Sequence, residues 1–199
     1  MAEDTAAPVG SPTTNARPVR IFVGLKVAPE IASELARIAR VLERFDARLV
    51  AADDIHLTLV PPWDEVSIPD AVGKLGRVAP GFGAFVLTIQ HVGYGPDLRR
   101  PRLLWADCAA VDELAALRAA LLDAYNQTDE RPFRPHVTLA RIRENGRAIA
   151  QKHPIDRSLS LTQWVESVEL FRSPAPGERG YRILASVRLA DASHWRPNA

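Results

Sequence analysis

The chain has 199 residues, 47% hydrophobic and 25% charged, with a formal net charge of +1, enough for one domain or two small lobes sharing a core. The near-neutral balance excludes broad electrostatic coating of nucleic acid, and the lack of any apolar run of about 18 residues excludes a membrane-spanning helix. Cys108 is the one cysteine, which excludes an internal disulfide and a thiolate zinc cluster and suits a reducing compartment.

Residues 1–17 are rich in Ala, Thr, Pro and Ser and lack the apolar core of a signal peptide, so a disordered tail is expected there. Residues 18–190 are expected to form a single bilobal domain, with residues 191–199 as a C-terminal tail. Residues 20–27 read as a strand with Ile21, Val23 and Leu25 on one face. Pro29 opens a helix to about Phe45, with Ile31, Leu35, Ile38 and Leu42 as its core stripe. Residues 48–50 and 55–60 read as short strands around an Asp53-Asp54 turn, the second stopped by Pro61-Pro62. Residues 68–78 make a weak helix interrupted by Gly73 and Gly76. Strands are expected at 85–92 and 103–108, joined by a loop over 93–101. A helix follows over 111–125, with Asp112 and Glu113 in its first turn as the helix dipole favours. A strand at 137–142, a short helix at 146–152 and strands at 164–171 and 181–189 close the chain.

One short pattern occurs twice, as His56-Leu57-Thr58-Leu59 and as His136-Val137-Thr138-Leu139. On a strand, residues i and i+2 face the same side. Each copy therefore sets an imidazole beside a hydroxyl, with apolar residues anchoring the strand from behind. Histidine exchanges protons near neutral pH, and a threonine hydroxyl can hold a phosphate oxygen. Two such pairs facing each other would make a metal-free acid–base site for a phosphodiester, needing no cofactor. Both halves of the chain run helix, link, then His-x-Thr strand. That repetition predicts an α+β architecture: two antiparallel sheets with flanking helices around a pseudo-twofold central cleft.

Around the motifs stand residues suited to a nucleotide. Arg102, Arg134 and Arg141 could bind phosphate, although Arg141, five residues after His136, falls on the opposite face of a regular strand. Phe133 and Trp63 could stack on a base. His91, His153 and His194 lack a threonine partner and read as structural or surface residues. Of the 25 basic residues, 22 are arginine; only Lys26, Lys74 and Lys152 are lysine.

Several blocks together resemble the RNA 2′,3′-cyclic phosphodiesterase, or 2′-5′ RNA ligase, family of the 2H phosphoesterases. They are Arg20-Ile21-Phe22-Val23, the first motif, Arg100-Pro101-Arg102-Leu103-Leu104-Trp105, the long block from Arg131 to Arg141, and Val168-Glu169-Leu170-Phe171-Arg172-Ser173. The chain departs from the family after the first motif, where Val60-Pro61-Pro62-Trp63 replaces aromatic-Leu-Gly and alters the cleft rim.

The resemblance implies a 2H phosphoesterase-like fold and opening of a 2′,3′-cyclic phosphate at an RNA 3′ end to a 2′-phosphate. It implies that His136 accepts a proton from water and His56 donates one to the leaving oxygen. Thr58 and Thr138 would hold the non-bridging oxygens, and the reverse chemistry would give 2′-5′ ligation. The expected partner is RNA with a cyclic phosphate end, tRNA-like or an oligonucleotide, met by a cytoplasmic monomer. Two alternatives stay open: a 2H hydrolase for small cyclic nucleotides or 2′-5′ oligonucleotides, and a non-catalytic RNA-binding module on the same fold.

Overall fold

A computed structural model describes residues 17–191. The expected tails, apart from Arg17 and Asp191, lie outside the described residues, as does His194. In chain order the elements are β1 (Val19–Lys26), α1 (Pro29–Ala39), β2 (Ala47–Leu49), β3 (His56–Glu65), α2 (Ile68–Val78), β4 (Phe85–Gly95), β5 (Leu103–Cys108), α3 (Asp112–Ala124), β6 (His136–Ile142), α4 (Gly146–Lys152), β7 (Asp156–Val165), β8 (Ser167–Arg172) and β9 (Arg182–Arg188).

The strands form two antiparallel groups, β7-β4-β5-β6 and β3-β1-β8-β9. Hydrogen bonding joins them into one continuous sheet, yet β3 and β6 meet at a single register pair, Leu57 with Val137. Beyond it the two strands part, and β2 takes the place beside β6. The expected α+β architecture is therefore present, but its two strand groups are one sheet joined at a narrow seam where the His-x-Thr strands touch, not two separate sheets.

The helices cross the seam. α1, which follows β1 of one half, packs against β6 of the other, and α3, which follows β5, packs against β3. This exchange ties the lobes together through a shared apolar core that includes Leu35, Leu57, Leu114, Leu121, Val137 and Leu139. Burial of such side chains is the main stabilising term, about 1.5–3 kcal/mol for each large aliphatic. α1 starts at Pro29 as expected but ends at Ala39, and one tight turn carries the chain to buried Leu42. α2 is capped by the Ser67 hydroxyl, which accepts the Asp70 N–H at 3.4 Å. The cap offsets part of the helical cost of Gly73 and Gly76.

Three expectations need correction. Pro61 and Pro62 do not end β3, which runs on to Glu65. They lie where the pairing with β1 shifts register between Ile21 and Val23, and β6 has already diverged from the other side, so neither missing N–H breaks a ladder. Strand β7 was not expected. It covers the outer edge of β4, and the alternating Leu159 and Leu161 were the signal for it. The single strand expected at 164–171 is instead two, the end of β7 and then β8.

Candidate active site

The seam pair Leu57–Val137 sits at the centre of both motifs. Antiparallel register around it sets His56 beside Thr138 and Thr58 beside His136. Leu57, Leu59, Val137 and Leu139 are buried on the helix side, while the four polar residues alternate with them on the other face. One sheet face thus carries two imidazoles and two hydroxyls related by a local twofold. His136, Thr58 and Thr138 line a cleft of about 670 Å³, within the size range of small-molecule sites. His56 is not among the residues that line it, but it is close enough to feel the charges of His136 and Arg141.

Both rings are oriented in the same way. Nδ1 of His56 lies 2.7 Å from the carbonyl oxygen of Asp54, and Nδ1 of His136 lies 2.8 Å from that of Arg134. A carbonyl can only accept, so each Nδ1 carries the proton and each Nε2 is left to exchange protons with a ligand. Each ring also rests on an aromatic from the neighbouring strand, His56 on Phe22 at 4.7 Å and His136 on Trp105 at 4.5 Å between centroids. Phe171 and the edge of Tyr181 complete the packing around His56. Close glycines make room for these contacts. A Cβ on Gly24 would lie 2.6 Å from the Leu57 carbonyl oxygen, and one on Gly95 would lie 2.5 Å from the Trp105 indole.

That packing has an electrostatic consequence. Burial lowers the His56 pKa below the usual 6.5, with Arg141 and His136 adding repulsion, while the Asp54 carbonyl and carboxylate pull it back up. In the free protein the His56 ring is therefore less basic than a solvated imidazole.

Arg141 reaches the cleft despite its spacing. In β6, Ala140 pairs with Leu104 and Thr138 with Trp105, so Leu139 is an extra residue against β5. The bulge reverses the alternation: Ala140 is buried and Arg141 turns out beside Thr138. β3 has the matching bulge at Leu59 against β1, which brings Pro61 to the equivalent place on the cleft wall.

Arg102, Arg134 and Phe133 also line the cleft. The Arg134 guanidinium lies over Trp105 at 4.8 Å and its Nε is 3.4 Å from Asp107. Phe133 is covered by Arg118 at 4.5 Å, and Arg118 donates to Asp129 at 2.9 Å. Trp63 is the exception. Its indole N–H is held by Glu65 and its ring packs on Tyr125, so it braces the lobe and does not face a ligand. Of the lone histidines, His91 is held between Asp156 and Asp107, and His153 lies against Phe45 and Arg44. Sequence reading did not place Phe22, Trp105, Arg118, Phe171 or Tyr181 at the site. Three of them, Phe22, Trp105 and Phe171, fall within the blocks that carry the family resemblance.

Residues 27–174 match the family model of the 2′-5′ RNA ligase superfamily. The chain is 30% identical over 128 residues to the RNA 2′,3′-cyclic phosphodiesterase of Bacillus subtilis, covering 60% of this chain and 69% of that protein. It is 30% identical over 162 residues to the protein of the same name from Geobacillus stearothermophilus, covering 74% of this chain and 49% of the relative. Among solved structures, LigT of E. coli complexed with 3′-AMP superimposes with a TM-score of 0.66 at 27% identity, over 86% of this chain and 98% of that one.

Proposed function

The chain belongs to the 2′-5′ RNA ligase superfamily, and from that premise we propose that it hydrolyses RNA 2′,3′-cyclic phosphate ends to 2′-phosphates by two-histidine acid–base catalysis. The observation that carries this reading is the matched pair of Nδ1–carbonyl hydrogen bonds on one sheet face, which leaves each Nε2 as the nitrogen available for proton exchange. Binding alone would not need two rings fixed in one tautomer.

Water attacks phosphorus in line with the P–O3′ bond, so base and acid stand on opposite sides of the phosphate. His136 Nε2 takes the proton from water and His56 Nε2 gives one to the departing O3′. A ring whose pKa burial has lowered is the stronger proton donor once protonated, and the arriving phosphate anion favours that protonated form. Thr58 and Thr138 donate to the non-bridging oxygens, where charge grows in the transition state. A 5′-hydroxyl in place of water would form a 2′-5′ phosphodiester through the same steps.

Among the described residues no group of three or more His, Cys, Asp or Glu is placed to hold a metal ion. Turnover is expected to continue in excess EDTA. Product analysis on an RNA with a 2′,3′-cyclic end, with the chelator present, checks both points at once: a 2′-phosphate with a free 3′-hydroxyl is expected. A 3′-phosphate product, or activity that returns only with a divalent ion, would overturn the mechanism.

The pH profile is a second check. The productive state has one ring protonated and the other neutral, so the rate should be bell-shaped, with apparent pKa values that belong to the pair. Because burial lowers His56, the acid limb should fall below 6.5. A profile flat from about pH 5 to 8 would rule out histidine acid–base chemistry.

A further inference from the structure

Of the arginines that line the cleft, Arg118, Arg131 and Arg134 are held by carboxylates, while Arg102 and Arg141 form no ion pair among the described residues. At one end, Arg118 and Arg131 share Asp129, and Arg134 is held by Asp107. At the other end, where β2 replaces β3 beside β6, Arg48 pairs in register with Arg141. Residues so paired lie on the same sheet face with Cα atoms about 5 Å apart, and Arg141 lines the cleft. Arg48 therefore extends the cleft face by one strand. Both side chains are exposed, and neither forms an ion pair among the described residues. Like charges directly opposite each other destabilise a sheet. A carboxylate in this region is not lacking: Arg143, near the same end of β6, meets Asp46 at 3.8 Å. The fold supplies a counter-charge to that arginine and none to the cleft-face pair. A ligand that is itself a polyanion removes the repulsion.

We propose that Arg48, together with Arg141, binds the phosphodiester on the 5′ side of the reacting phosphate, an anchor that an oligoribonucleotide end engages and a free cyclic nucleotide does not. This deepens the cyclic-phosphodiesterase reading above and rests on it. A nucleotide whose cyclic phosphate sits over the two histidines has its chain leaving in one direction only, through its 5′ oxygen. The Arg48–Arg141 pair offers the next phosphate a bidentate, two-guanidinium seat. Arg48 touches neither histidine nor either threonine, so it plays no part in turnover of a mononucleotide.

The test compares Arg48→Ala with the unaltered protein on adenosine 2′,3′-cyclic phosphate and on an oligoribonucleotide ending in a 2′,3′-cyclic phosphate. The expected result is unchanged kcat/KM on the mononucleotide and a loss of about tenfold on the oligonucleotide. The salt dependence of log kcat/KM for the oligonucleotide should weaken by about 0.7, and Arg48→Lys should recover part of the loss. Equal effects on the two substrates, or none on either, would overturn the inference while leaving the proposed reaction standing. If the unaltered protein turns over neither substrate, the proposed reaction falls. Fluorescence anisotropy of the labelled oligonucleotide then decides the Arg48 site alone: weaker binding by Arg48→Ala supports it, and equal binding refutes it.

Discussion

Alanine at His56 or at His136 is expected to lower kcat for a 2′,3′-cyclic phosphate by about 10²–10⁴-fold, the usual worth of a positioned acid or base. The two losses should not add, because both groups serve one displacement at one phosphorus. His136 lies on the open cleft face, so its removal should cost little stability. His56 is packed against Phe22, Phe171 and Tyr181, so alanine there also leaves a small cavity. His56→Asn separates the two effects. Its amide can still donate to the Asp54 carbonyl, yet it has no proton to exchange near neutral pH. Single-turnover rates with thermal melts of each variant provide the measurement. A variant that folds and keeps activity within tenfold would take that histidine out of the chemistry.

Valine at Thr58 or Thr138 should lower kcat by about 10²–10³-fold with KM nearly unchanged, as loss of one preorganised donor to a developing oxyanion does. Valine matches threonine in shape and suits a strand, so the substitution removes a hydroxyl and little else. Serine at either position should restore most of the rate, because the donor returns. The split between kcat and KM is the informative reading. A rise in KM at constant kcat would mean that the hydroxyls bind ground state and transition state equally. They would then hold substrate without speeding the reaction.

The arginine and aromatic residues show where pattern reading stops. Arg141 was legible as a candidate phosphate ligand by residue type, but the strand period placed it on the face away from the cleft that it lines. A single extra residue at Leu139 reverses that, and a bulge has no signature in a seven-residue strand that otherwise alternates. Trp63 failed in the opposite sense. Its composition suits base stacking, but Glu65 and Tyr125 already occupy its N–H and its ring. The aromatic supports of the two imidazoles come from neighbouring strands far away in sequence: Phe22 precedes His56 by 34 residues and Trp105 precedes His136 by 31. Nothing local ties them together. Pro61 and Pro62 misled because a missing N–H matters only if a partner strand waits for it, and which strand edge is free is a matter of topology.

The linear chain determined the motif strands, the helices between them and the four polar side chains that share their faces, because strand alternation and helix periodicity act over a few residues. Tertiary structure decided the rest. The Leu57–Val137 contact brings two segments 80 residues apart into register, the Asp54 and Arg134 carbonyls fix the tautomer of each ring, and burial makes one imidazole less basic than water would. These are long-range terms: they depend on which surfaces meet once the core closes, and the helix exchange across the seam is what closes it.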